Sequence, residues 1–258
     1  MLTKRESFLL NYEKIVTSIS PALKALPNYQ NLFGPHIPGA GHTYWNNENI
    51  PKIAFVGKDV GAGKKLEQNL DDISLFVQFS SDLMNEIDIL NWNRNYGQFA
   101  AAVIYLLAQI YNVPEEDLTS CRRNDILSSF VWAQANSILN YKSFKANNAE
   151  LTYETWDTLR HICKPLDSLK LLADAVNPDI VIIFCWDCNA YLDVPNYSVV
   201  KEKKHLRYLK NERDNKHIIH TCHQSHWRSD YSSDPFYTRL NEILDILKDE
   251  ISIDTFFT

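Results

Sequence analysis

Residues 52–63 read KIAFVGKDVGAG, and the fold turns on how this stretch is interpreted. Ile53, Ala54, Phe55 and Val56 form a short uninterrupted apolar run, the pattern of a strand buried on both faces in a parallel sheet. The second half is a loop. Gly57, Gly61 and Gly63, three of the chain's seven glycines, open backbone conformations closed to other residues and allow a ligand close to the main chain. Asp59 places one carboxylate among them. Open α/β sheets hold ligands beyond the carboxyl ends of their strands, so this loop is expected to be half of a site.

Three more stretches carry strand signals. Residues 179–185 (DIVIIFC) are β-branched and apolar after the first position, which predicts a central strand; residues 126–135 (ILSSFVWAQA) and 217–222 (HIIHTC) supply two others. Helical spacing fills the intervals. It runs through Phe8, Leu9, Tyr12, Ile15, Ile19 and Leu23, with an interruption expected at Pro21, and returns over residues 73–90, 98–113, 152–176 (broken at Pro165) and 235–251. Residues 27–51 hold four prolines and three glycines and are expected to be an ordered loop; His36, His42, Tyr44 and Trp45 within it are read as packing residues, or alternatively as a cover over a ligand held by the strand that follows. Strands separated by helices predict an α/β fold, a three-layer α/β/α sandwich with a central, mostly parallel four-stranded sheet. One domain is expected over residues 1–258, with an N-terminal helical addition over about 1–30.

Composition narrows the function classes. A 258-residue chain that is 45% hydrophobic buries a substantial core and is not a disordered segment. No apolar run reaches the roughly 20 residues that span a bilayer, and the first residues, MLTKRE, lack the apolar core of a signal peptide, so no membrane and a cytoplasmic location are expected. A net charge of -6 argues against tight non-specific binding to nucleic acid. Residues 201–216 depart from it locally, with seven Lys or Arg against three acids; a solvated surface segment and a basic face are the two readings, and a short strand or hairpin is read near residues 197–200. Five cysteines do not form a disulfide framework, and the lone CxxC of Cys185 and Cys188 is read as structural. His220, His223 and His226 recur every third residue across a strand-to-loop junction, a spacing that does not converge on one ion, so neither metal nor cofactor is expected.

If the four strands are parallel, the loops after them open on one edge and hold Asp59, Gln134 or Asn136, Asp187 and His223. An acid and a histidine at such an edge suit hydrolysis, one positioning water and the other stabilising a departing anion.

These residues carry a resemblance. Gly57-Lys58-Asp59 at the end of one strand and His223-Gln224-Ser225 at the end of the last resemble the two signature motifs of the uracil-DNA glycosylase superfamily, Gly-Gln-Asp-Pro or Gly-Glu-Ala-Pro and His-Pro-Ser. Residues 130–136 (FVWAQAN) are similar to the segment bearing that superfamily's base-reading asparagine, and residues 178–183 (PDIVII) to its third strand; the likeness covers roughly residues 50–245. It implies that Asp59 positions the attacking water and that His223 hydrogen-bonds the base oxygen on which charge grows. It also implies that a flipped base stacks on Phe76 or Phe79 near Gly57 and is read by Gln134 or Asn136, with Ser225, Trp227 and Arg228 along the DNA backbone. The implied protein is a monomeric DNA N-glycosylase. Two positions depart: Val60 and Gln224 stand where the motifs have proline, which points to a modified base as substrate or to a nucleic-acid- or nucleotide-binding protein without catalysis.

A phosphate-binding loop is the rival reading. With Gly63-Lys64 as its GK, Lys58 occupies the leading glycine position and Lys65 the hydroxyl position, so both the cradle and the magnesium ligand are missing.

Overall fold

The computed structural model of the chain describes residues 2–32, 34–60, 66–82, 89–120, 122–139, 141–147, 150–186, 194, 196–222 and 235–251. Four strands form its middle: β2 (Ile53–Val60), β3 (Phe130–Leu139), β4 (Ile180–Phe184) and β7 (Lys216–Thr221). They are joined in parallel, β3 to β2, β2 to β4 and β4 to β7. Every residue of β4 is buried, as an uninterrupted β-branched run requires in the centre of a sheet covered on both faces.

The expected four-stranded, mostly parallel sheet is corrected by three further strands. β1 (Gly39–Ala40) pairs antiparallel with β3, and a hairpin of β5 (Ser198–Lys203) and β6 (Leu206–Asn211) adds antiparallel to β7. Among the described residues the result is one mixed seven-stranded sheet in the order β1-β3-β2-β4-β7-β6-β5. A two-residue strand has no periodicity to read, and β5 is exposed along its whole length, so charge rather than alternation dominates its sequence. The hairpin turns at His205 with φ 53°, a left-handed conformation taken here without the glycine that would announce it. The basic run 201–216 is therefore folded, and its cations are ion-paired: Lys201 with Glu250, Lys203 with Glu242, Arg207 with Glu202, Lys210 with Glu212 and Lys216 with Asp179.

Alternation along the strands divides the core in two. Ala54, Val56, Val131, Ala133, Val181, Ile183 and Ile218 face one layer, built from α1 (Lys4–Lys24), α9 (Tyr153–Cys163) and α10 (Leu169–Val176). Ile53, Phe55, Phe130, Trp132, Ile180, Ile182, Phe184 and Ile219 face the other, built from α5 (Ile89–Ile110) and α11 (Pro235–Asp249). Helix boundaries follow local chemistry. Thr3 and Glu6 form a reciprocal capping box at the start of α1, and Thr152 and Ser168 cap α9 and α10. Asn177, at φ 47°, stops α10 just before Pro178.

Three boundaries depart from expectation. Pro21 lies inside α1 without ending it. The strand expected over 126–135 is displaced: residues 124–127 form a short helix, and β3 starts at Phe130. The loop 27–51 contains β1 and a short helix, α2 (His42–Asn46), whose Tyr44 is buried and donates its hydroxyl proton to the Val176 carbonyl at 2.8 Å. The start of α2 lies against Ser128, in the turn before β3, only because residue 41 is glycine: a Cβ there would lie 2.4 Å from the Ser128 Cα.

At the amino edge of the sheet Asp179 joins three strands, accepting the Lys52 backbone N–H at 3.1 Å and the Lys216 ammonium at 2.8 Å. Asp179→Ala is expected to lower unfolding free energy by about 1–2 kcal/mol, the scale of partly exposed charge-assisted bonds. Urea denaturation measures it, and an unchanged midpoint would remove this role.

Candidate functional site at the carboxyl edge of the sheet

β2 and β3 stay in register from Ile53 opposite Phe130 to Asp59 opposite Asn136, then slip, so that Val60 faces Leu139. An irregularity of this kind ends regular pairing and re-aims the chain, and it falls at the residue singled out as the water-positioning acid. The Asn136 amide donates to the Lys58 carbonyl at 3.0 Å, fastening the two strands just before the slip. Gln134 is buried at 6% exposure and lies over Gly57: a Cβ on residue 57 would stand 2.4 Å from its Oε1. Gly57, Gln134 and Asn136 are thus neighbours, and the glycine serves the packing of a side-chain amide.

The remaining expected site residues divide. Phe76, on α4 (Ile73–Asp82), is 8% exposed and belongs to the core under α1, whereas Phe79 on the same helix is 43% exposed. His223, Ser225, Trp227 and Arg228 lie outside the described residues, as does Asp187. β7 ends at Thr221, so the chain leaves the sheet toward His223 at the edge where β2 ends in Asp59 and Val60. One strand, β4, stands between β2 and β7.

A cluster missing from the expected set occupies this edge beside β7. The Trp186 ring stacks on His220 at 4.8 Å and 13°, meets His205 edge-on at 5.5 Å, and lies 5.1 Å from the Arg207 guanidinium. His220 Nε2 is 2.7 Å from the Cys185 carbonyl, which only accepts, so the ring donates from Nε2. Among the described residues Nδ1 is buried without a hydrogen-bond partner, and burial holds the imidazole below its usual pKa. The His205 carbonyl accepts from the Thr221 hydroxyl at 3.0 Å and from the Cys222 N–H at 3.3 Å. The hairpin turn therefore props the end of β7, a task that a basic run in sequence does not announce. No spacing in the sequence singles out His220, since every residue from His217 to Thr221 is buried.

Cys185, just after β4, is disulfide-bonded, while Cys163 and Cys222 are buried and unbridged. The bridge corrects the reading of Cys185 as a structural thiol of the CxxC. Among the described residues, no group of three or more His, Cys, Asp or Glu is arranged to hold a metal ion, and no helix is long and apolar enough to cross a membrane.

No protein-family model matches the chain, and no curated protein matches it either.

Two outcomes follow from this geometry. Gly57→Ala is expected to cost about 1–3 kcal/mol by overpacking against Gln134, and Gln134→Ala in the same chain to recover most of it. A thermodynamic double-mutant cycle reads this coupling; additive effects would contradict the contact. Separately, a histidine in the unfolded chain takes up its proton near pH 6.5 (about the free value), whereas burial depresses the folded-state pKa of His220, His217 and His36. The unfolded state then binds more protons as pH falls below about 6.5, so stability present above that pH is lost on acidification. Urea midpoints at neutral and mildly acid pH should show a smaller loss in His220→Gln than in the wild type; equal losses would exclude His220 as a contributor.

Proposed function

We propose that the chain is a DNA glycosylase-like protein that hydrolyses the N-glycosidic bond of a uracil-like or modified base. Its strand arrangement carries the reading: β2 and β7 run parallel in one sheet with only β4 between them, and both end at the same edge. Neighbouring strands lie about 4.8 Å apart, so the two chain exits stand about 10 Å apart, a span that accommodates a nucleobase and its sugar. On this reading Asp59 orients water toward the sugar carbon. The bond to the base breaks with its electron pair leaving on the base, and His223 hydrogen-bonds the oxygen that takes up that charge. Water supplies the hydroxyl left on the sugar and the proton gained by the base. DNA is the proposed partner of a monomeric, cytoplasmic protein, and its base would be presented by flipping.

One observation favours a second reading, a nucleic-acid- or nucleotide-binding protein without catalysis. The Asn136 amide is engaged by the Lys58 carbonyl and Gln134 is packed over Gly57, so both candidate base-reading amides make contacts within the protein. Together with Val60 and Gln224 in place of the motif prolines, this fits a scaffold whose pocket no longer reads uracil.

A panel of duplexes containing uracil, mismatched and oxidised bases separates the two. Abasic-site formation on at least one member, reduced about 100-fold or more by Asp59→Asn and by His223→Ala, is the expected result. Binding without an abasic product on any member assigns the protein to the second reading.

A further inference from the structure

We infer that the aromatic cluster formed by Tyr141, Tyr153 and Trp156 is a stacking surface for single-stranded nucleic acid that continues from the carboxyl-edge cleft. β3 ends at Leu139 and the next helix, α8 (Tyr141–Asn147), begins with Tyr141, so the cluster stands at the sheet edge that carries Asp59 and Asn136. α9 brings the other two rings there from its first turns. Tyr141 meets Tyr153 at 4.9 Å and 71° and Trp156 at 5.6 Å and 66°, and Tyr153 meets Trp156 at 5.3 Å. Trp156 is 9% exposed and anchored in the core, whereas Tyr153 is 55% exposed, a large ring held rigidly by its neighbours and open to solvent. Rigid aromatic rings at the surface lose little entropy when a flat partner covers them.

Charge selects that partner. The cations of the β5–β6 hairpin are largely taken up by carboxylates, on a protein whose net charge is -6. Beside the cluster the pattern differs. Among the described residues, Lys142, Arg160 and Lys164 are exposed and make no ion pair; the Arg160 guanidinium instead lies 5.7 Å from the centre of the Trp156 ring. Arg160 and Lys164 follow Trp156 along α9 and its continuation, and Lys142 follows Tyr141. Asp157 lies on the same stripe, with its carboxylate 3.5 Å from the His161 imidazole. Glu150 and Glu154 are exposed close by in the chain; the exposed Tyr153 ring, backed by the half-buried Tyr141, together with the unpaired Lys142, Arg160 and Lys164 matches a strand that offers planar bases and phosphates together, and stacking of this kind is tolerant of sequence. An acidic or purely apolar protein surface would not use both.

The choice of partner rests on the nucleic-acid reading of the cleft, so the test separates surface from catalysis. Fluorescence anisotropy of a labelled oligothymidine of about ten nucleotides is measured with the full chain and its variants at two salt concentrations. The wild type is expected to bind with weak sequence preference and to lose affinity as salt rises. Tyr153→Ala should weaken binding about tenfold, consistent with loss of one stacked base, and Tyr153→Phe should retain it. Arg160→Ala should weaken binding and flatten the salt dependence. Lys203→Ala, on the hairpin where that cation is paired with Glu242, should bind as the wild type does, whether or not base excision is found. Wild-type binding left unchanged by Tyr153→Ala would overturn the inference. So would the absence of wild-type binding at protein concentrations up to about 100 μM, the weak end of non-specific nucleic-acid affinity.

Discussion

Parallel pairing of β2, β4 and β7 is the constraint from which the remaining arrangement follows. A parallel strand must be reached by a crossover that passes over a sheet face, so helices cover both sides and the strands between them become apolar without alternation. That is why β4 is buried throughout and why the two cores share one sheet. The same geometry sends the carboxyl ends of β2, β3, β4 and β7 to one edge. Whatever chemistry the strand ends carry is gathered there by topology alone, before any side chain makes a specific contact.

Support for that edge comes from groups that take no part in the proposed chemistry. The Asn136 amide ties β3 to β2 where their ladder slips, and the Gln134 amide fills the space left by Gly57. On the far side of β4, the Trp186–His220 stack and the His205 carbonyl hold the end of β7. Two walls of the proposed cleft are thus braced separately, each by a partly buried hydrogen bond. This is the kind of fixed framework on which loops bearing functional groups are usually mounted.

β2 and β4 were legible because burial on both faces leaves an uninterrupted apolar run, over residues 53–56 and 180–184; β3, with Gln134, Asn136 and Ser137 in its run, was expected four residues early. Of the flanking strands only the hairpin left a trace, in the short strand or hairpin read near residues 197–200. β1 has two residues, and β5 is solvated on both faces, so neither leaves a period in the sequence. Tyr44 and Trp45 were readable as packing residues, and the buried hydroxyl of Tyr44 shows why an aromatic in a proline-rich loop can be core. Phe76 and Phe79 carry identical side chains, and their different burial is set by the rotation of α4 against α1, which local sequence does not determine. The contacts of His220 and Trp186 are made across the sheet and are likewise invisible in one dimension.

A spacing measurement between residues 59 and 223 bears on the account most directly. With cysteines placed at Asp59 and His223, a bifunctional thiol reagent spanning about 10 Å, two strand spacings, is expected to yield an intramolecular bridge between these two positions, read by peptide mass spectrometry. Only single adducts at each position, under conditions where the chain remains folded, would place the two residues on different faces and contradict the proposed common cleft.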